Sequence, residues 1–267
     1  MRLAFIGGGV MAEAIIAGII DSGLDAEIVA GEPVKERREA LASRYNITAT
    51  ADNADAVNGA DMVVLAVKPQ QFEAVASELA GILDPSQTVI SIMAGVKIHS
   101  IGLKLNHRRL VRVMPNTPAQ VRQGMCVWTA TPEVPADVLE FVQKALAALG
   151  EEVRFSDEKL VDVATALSAS GPGYVFTFIE SLTDAAVMLG MPAPVARQLA
   201  VQTLLGSAAL AKQSGEHPAE LKNRVTSPGG TTAAGLFALE DAGFRAATIK
   251  AVQAAYERGE ELGASRK

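Results

Sequence analysis

Apolar positions along the chain keep one rhythm to about residue 156 and another beyond it. In the first part, short apolar runs closed by glycine or proline alternate with longer segments of helical spacing. Such runs predict buried parallel strands, and the segments predict the helices that cover them. The runs are residues 3–6, 27–30, 61–67, 88–92 and 109–114, with further strands at 124–129 and 151–155. Helices are predicted over 11–20, from Pro33, from about 70 to 83 and from about 136 to 148. Beyond Asp157 the strand signals stop. Segments 159–167, 174–189, 195–213 and 244–262 carry helical spacing with abundant alanine. The pattern predicts an α/β domain over 1–156 and an all-helical domain over 157–267.

The strand ends carry the first candidate chemistry. Gly7-x-Gly9-x-x-Ala12 falls between the first strand and the first helix, where a dinucleotide fingerprint belongs. Gly7 permits the tight turn, Gly9 lets backbone approach a pyrophosphate, and Ala12 allows close helix–strand packing. Gly7, Gly8, Gly9, Val10 and Met11 are therefore candidate cofactor residues, and the first domain reads as Rossmann-like. The second strand ends at Gly31-Glu32, placing an acid where an adenosine ribose would lie. Glu32 suits a 2′-hydroxyl and NADH, whereas Lys35, Arg37 and Arg38 suit a 2′-phosphate and NADPH. Both cofactors stay open. Ligands of open α/β sheets sit outside the carboxyl ends of the strands. That rule selects Val67, Lys68, Pro69, Ala94, Gly95, Asn116 and Thr117 as candidate nicotinamide contacts, with Asn53 beside them.

Two polar, glycine-rich breaks interrupt the helical half. One is Ser168-Ala169-Ser170-Gly171-Pro172-Gly173-Tyr174, read as a turn between helices. The other is Val225-Thr226-Ser227-Pro228-Gly229-Gly230-Thr231-Thr232, which delivers bare N–H groups and hydroxyls to a helix start. Such a start suits an anion; the plainer alternative is a helix capped by Thr231 or Thr232. Ser170, Val225, Ser227, Gly229, Gly230, Thr231 and Thr232 are the candidate substrate residues, sharing one small-molecule pocket.

Composition removes several classes of function. The 267 residues are 49% apolar and 20% charged, as in a soluble globular protein, and carry a net charge of 24 − 30 = −6 with no basic run. Nucleic acid is thereby disfavoured. Cys126 is the only cysteine, and His99, His107 and His217 match no zinc spacing, so no metal site is expected. Met1-Arg2 and the apolar stretch to Ile20 imitate a leader, but Glu13 and the glycines break it. No run approaches membrane-spanning length. A cytoplasmic protein is expected. The nearly all-round apolar helices predict burial in a homodimer.

Beyond these local readings, His217-Pro218-x-x-Leu221-x-x-x-Val225-Thr226-Ser227-Pro228-Gly229-Gly230-Thr231-Thr232-x-x-Gly235-Leu236-x-x-Leu239-Glu240 resembles the signature of the pyrroline-5-carboxylate reductases. The resemblance runs end to end, through the glycine loop, Ala66-Val67-Lys68-Pro69, Met114-Pro115-Asn116-Thr117-Pro118 and Ser168 to Tyr174. Val10 departs from the family's common Asn, and Gly173 from its common Ala. The resemblance implies reduction of Δ1-pyrroline-5-carboxylate to L-proline by NADPH or NADH, the last step of proline synthesis. It also implies a helical dimerisation domain, dimers assembled into larger rings, and a substrate pocket at the dimer interface. By the same match, backbone N–H groups of Gly229, Gly230 and Thr231 bind the substrate carboxylate with help from Ser227, and Thr232 orients the ring nitrogen. A β-hydroxyacid dehydrogenase is the nearest rival, but residues 170–177 lack the lysine that such enzymes use.

Overall fold

The computed structural model describes residues 1–264. The chain falls into two compact units: Met1–Ser170 with the residues from Ala255 onward, and Gly171–Ala254.

In the first unit, strands and helices alternate through β1 (Arg2–Ile6), α1 (Val10–Asp21), β2 (Glu27–Gly31), α2 (Lys35–Tyr45), β3 (Thr48–Thr50) and α3 (Asn53–Val57). They continue through β4 (Met62–Leu65), α4 (Phe72–Leu79), β5 (Thr88–Ser91), α5 (Ile98–Leu105), β6 (Leu110–Met114), β7 (Gly124–Ala130), α6 (Ala136–Ala147), β8 (Gly150–Arg154) and α7 (Glu158–Ala164). The sheet order is β3-β2-β1-β4-β5-β6-β7-β8, parallel except where β7 runs against β6. Strand order reverses between β1 and β4, which pair from Leu3↔Met62 to Ile6↔Leu65. The carboxyl ends at that reversal are where a nucleotide belongs.

Side chains alternate across the sheet with period two and build a core on each face. Leu3, Phe5, Ile28, Met62 and Val64 pack under α1, α2 and α6. Ala4, Ile6, Val29, Val63 and Leu65 pack under α3, α4 and α5. This two-sided burial explains why the strands read as continuous apolar runs.

Several expectations shift in detail. The helix expected over about 70–83 is a 3₁₀ turn, Pro69–Gln71, and then α4, which stops before Gly81 at φ +82°. The helix after β2 starts at Lys35 rather than Pro33, because the Val34 N–H is taken by the Glu32 carboxylate at 2.9 Å. Strand β3 and helices α3 and α5 are too short to carry a clear period. Residues 168–174 are no turn: a π-helical segment, Thr165–Ala169, runs on towards α8 (Gly171–Met188). The first unit also extends past Asp157 to Ser170, since α7 is tied to the sheet. Buried Arg112 of β6 donates to Glu158 at 2.8 Å and to Asp162 at 2.6 Å.

The second unit is helical: α8, α9 (Ala193–Ser214), α10 (Pro218–Arg224), α11 (Thr231–Asp241) and the start of α12 (Phe244–Ala264). Phe178 and Phe244 stack at 5.8 Å between centroids. Within this unit only Ala196 and Ala200 are fully buried hydrophobics, while Met188, Leu189 and Phe237 are 87%, 91% and 75% exposed. A helical layer that leaves its apolar side chains bare requires a partner surface.

Candidate active site

The glycine loop is a close-fitted turn. Gly7 adopts φ +94°, and a β-carbon there would lie 2.9 Å from the Ala66 carbonyl of the neighbouring strand end. Its N–H donates to the Gly31 carbonyl at 2.8 Å, joining the loop to the end of β2. Gly9 is the N-cap of α1, without a side-chain cap, and a β-carbon on it would meet nothing within 4 Å. The loop is thus backed by strand and open in front. First-turn N–H groups of Val10, Met11 and Ala12 have no partner inside the helix, and the helix dipole adds positive potential. This arrangement fits the pyrophosphate of a dinucleotide. Val10 is 63% exposed at that mouth, so its side chain crosses no packed contact.

A cleft of about 380 Å³ continues from the loop across the strand ends. Gly9, Met11, Val67, Lys68, Pro69, Ala94, Asn116 and Thr117 all line it. Ala66, Ile92, Met93, Met114, Pro115 and Ala169 line it too. Ala66, Met114, Pro115 and Ala169 sit inside the quoted motifs, and the π-helical segment brings Ala169 there. Gly95, at φ +71°, closes the turn after Ala94 and lies outside the lining.

Three other candidates sit apart from the cleft, around the end of β2. Asn53 donates to Glu78 at 2.6 Å, and its side chain lies against Gly31, where a β-carbon would come within 2.7 Å of its oxygen. Lys35 pairs with Glu39 at 3.8 Å on the surface of α2. Glu32 is 2% exposed; its carboxylate accepts N–H bonds from Gly8 and Val34, each at 2.9 Å.

In the second unit the signature residues build one brace and one turn. His217 caps α10 by accepting the Ala219 N–H at 3.2 Å, and Pro218 fills the first helical position. Arg224 grips Glu216 through both guanidinium nitrogens, at 2.9 and 2.5 Å. Val225 ends α10, and the Thr226 hydroxyl donates back to the Lys222 carbonyl at 2.7 Å. Gly229 then turns the chain at φ +70°. Gly230, not Thr231 or Thr232, is the N-cap of α11, with no side-chain cap. The Gly230 N–H donates to the Ser227 carbonyl at 3.1 Å, so it closes the turn and leaves anion binding to its neighbours. A β-carbon on Gly230 would sit 2.4 Å from the Ser227 hydroxyl oxygen, which is why that hydroxyl can lie over the helix start. Thr231 is exposed and Thr232 half-buried in the first turn. Ser170 belongs to the first unit, where its N–H donates to the Thr165 carbonyl at 2.9 Å.

Among the described residues no cluster of His, Cys, Asp or Glu has the makings of a metal site, and no helix is long and apolar enough to cross a membrane.

Comparison with known proteins shows the family. Residues 158–262 match the family model for pyrroline-5-carboxylate reductase dimerisation, and residues 2–95 match that for coenzyme F420-dependent NADP oxidoreductases. A pyrroline-5-carboxylate reductase of Synechocystis sp. is 45% identical over 98% of either chain. That of Pseudomonas aeruginosa is 42% identical over 98% of this chain and 96% of its own. The solved structure of the Coxiella burnetii enzyme superposes with a TM-score of 0.90 at 37% identity, covering 97% of each chain. That of Plasmodium falciparum pyrroline carboxylate reductase with NADP bound gives 0.89 at 31% identity, covering 98% of each. With its glycine loop, its open cleft at the strand ends and its Ser227–Thr232 turn, the chain belongs to the pyrroline-5-carboxylate reductase family, the NAD(P)H-dependent oxidoreductases that act on a cyclic C=N bond.

Proposed function

We propose that this chain reduces Δ1-pyrroline-5-carboxylate to L-proline, with the dinucleotide held by the first unit and the imine acid by the second. The observation that carries the assignment is the start of α11, where an uncapped helix follows a left-handed glycine and a serine hydroxyl. The N–H groups of Thr231 and Thr232 have no partner inside the helix and, with Gly229 and the Ser227 hydroxyl, bind the substrate carboxylate. Val225 belongs to the same substrate set, and Ser170, of the first unit, stays a separate substrate candidate. Thr232 is the catalytic residue of the reading, its hydroxyl orienting the ring nitrogen so that the imine carbon faces the hydride donor.

A nicotinamide cofactor supplies the hydride when bound. The residues of the cleft orient and shield it: Val67, Pro69 and Ala94 offer apolar wall, and the α1 start holds its phosphates. A protonated cyclic imine is already electrophilic, so placement supplies most of what the protein must do. That accounts for a site without histidine or cysteine at either of its two parts.

The bare apolar side chains of the second unit support a homodimer through the helical domain, and the dimers assemble into a larger ring. The protein is cytoplasmic. The chain is tested by following loss of nicotinamide absorbance with Δ1-pyrroline-5-carboxylate and identifying L-proline as product. A folded protein that binds dinucleotide and turns over no pyrroline carboxylate would remove the assignment.

A further inference from the structure

We propose that the first unit holds a second small-molecule site, at the amino ends of β5 and β6, built for a zwitterionic amino acid with an aliphatic side chain. A cleft of about 610 Å³ opens there, lined by the α4–β5 loop, the α5–β6 loop and Glu133 of the β7–α6 loop. The cofactor cleft lies past the carboxyl ends of the same two strands. Between the two run the four residues of β5 and the five of β6, roughly 15 Å of strand. The floor of the new site is preorganised. The buried Gln87 side chain donates to the Val57 and Ala60 carbonyls at 2.8 and 2.9 Å and accepts the Asp84 N–H at 2.9 Å. The Gln87 carbonyl in turn accepts from His107 Nε2 at 2.7 Å. A carbonyl can only accept, so Nε2 carries the ring hydrogen and Nδ1 keeps a lone pair. His107 is 7% exposed, yet Nδ1 has no partner among the described residues and is not sealed off from the cleft that the residue lines. A ring so buried with an unused acceptor calls for a donor from outside.

Charges of both signs surround that ring. Arg109 gives one guanidinium nitrogen to the Ser86 carbonyl at 2.6 Å and leaves the others unbonded. The Arg108 side chain has no hydrogen bond or ion pair among the described residues, and neither has Glu133. Thr131, two residues before Glu133, donates its hydroxyl to the Arg108 carbonyl at 2.7 Å, so the loops bearing these two charges are fixed to each other. Asp84, between the lining residues Leu83 and Pro85, accepts the Ser86 N–H and hydroxyl at 2.8 and 2.6 Å and lies within reach of the Arg109 charge. The two guanidinium groups are thus balanced by two carboxylates, which gives a plain anion such as phosphate no net attraction. Set on three different loops, the charges match a molecule that carries one of each sign. Arg108 and Arg109 suit an α-carboxylate, and Glu133 with His107 Nδ1 suits an α-ammonium. Leu83, Pro85 and Leu105 supply an apolar wall for the side chain.

The test needs neither dinucleotide nor imine. It is calorimetric titration of the intact protein with L-leucine and with isocaproate, the same carbon chain without the ammonium. Wild type is expected to bind L-leucine at least about tenfold more tightly than isocaproate, the scale of one hydrogen bond to a charged group. Arg108→Gln should weaken L-leucine by about ten- to hundredfold. Glu133→Gln should narrow the preference for L-leucine over isocaproate by about tenfold. Both side chains are exposed and unpaired, so both variants should melt with wild type. Ser227→Ala, on the turn before α11, should leave L-leucine binding as it is. No binding at millimolar L-leucine overturns the proposal, and so does equal affinity for the two ligands, which would mean a site for any carboxylate. An unchanged preference in Glu133→Gln removes the ammonium contact and with it the zwitterion. Binding that survives Arg108→Gln and is lost in Ser227→Ala would put the amino acid in the substrate site, which also counts against the proposal.

Discussion

The Asn116 side-chain amide donates to the Ser168 carbonyl at 3.0 Å, replacing a hydrogen bond that the helix cannot make for itself. The residue four positions after Ser168 is Pro172, which has no N–H and whose ring crowds that carbonyl. Freed of its regular partner, the chain widens into the π-helical segment Thr165–Ala169, and the Ser170 N–H reaches back five residues to Thr165. The Asn116 oxygen meanwhile accepts the Met125 N–H at 2.9 Å. One side chain thus ties the β6 loop, the start of β7 and the widened turn that brings Ala169 to the cleft. Its side chain serves as a tie while the residue lines the cleft, so it positions the cleft wall.

Asn116→Asp keeps the acceptor for Met125 and loses the donor for Ser168. We expect a loss of about 1–2 kcal/mol from that hydrogen bond, read as a drop of a few degrees in melting temperature. Because Ala169 would shift with the turn, dinucleotide affinity should weaken as well. A variant with unaltered melting and unaltered affinity would show that the tie is dispensable.

Thr232→Ala removes one hydroxyl from the first turn of α11. Catalytic efficiency should fall about ten- to hundredfold, the scale of one hydrogen bond to a charged group, while the melting temperature stays put. Steady-state kinetics with the imine varied checks this. Full efficiency would return Thr232 to ordinary helix surface.

Arg112 is 1% exposed and grips Glu158 and Asp162 at once, with Glu158 also accepting the Ile98 N–H at 2.8 Å. Arg112→Met leaves two partly buried carboxylates without their cation and should cost about 3–5 kcal/mol in denaturant unfolding. Arg112→Lys should rescue little, because a single ammonium cannot reach both acids in a fork.

Lys97 belongs to the same cluster, 3.2 Å from Glu260 and 3.8 Å from Asp162. Burial alone would lower its pKa, but the hydrogen bond it donates to Glu260 and the charges of Asp162, Glu260 and Glu158 outweigh burial and hold it above the ordinary 10.5. A raised folded value means stability that is complete below 10.5 and lost as pH climbs through the folded pKa. Thermal melts in alkaline buffers should therefore show wild type losing its advantage over Lys97→Met in that range. A constant difference between the two would contradict the linkage.

Cys126 lies on β7 with no exposed surface, and burial together with the Glu152 charge pushes its thiol up to about 12. A disulfide reagent at about pH 8 should leave the native protein unlabelled and react fully once denaturant is added. Rapid native labelling would mean that β7 opens readily.

The legible features were those that repeat or that leave no steric choice. Doubly buried strands announced themselves as apolar runs, and Gly7 marked its turn because only glycine tolerates both φ +94° and the Ala66 carbonyl behind it. That residues at the strand ends line one cleft followed from topology. What escaped was tertiary. Nothing local tells that the Gly8 N–H would be claimed by Glu32, or that Arg112 would hold α7 to the sheet and move the boundary to Ser170. Glycine as N-cap of α11 was hidden by two better-capping threonines beside it. The widened turn was the one miss with a readable cue, Pro172 four residues after Ser168.

The return of α12 sets an order of events during synthesis. Glu260 pairs with Lys97, and Gly263 packs so closely that a β-carbon would stand 3.3 Å from the Gly95 carbonyl, directly behind the turn that follows Ala94. The sheet can assemble as its strands leave the ribosome, but the backing of that turn arrives only once Glu260 and Gly263 have been made. A nascent chain that stops short of Glu260, or a protein clipped within α12, would thus hold a finished sheet and an unsupported turn after Ala94.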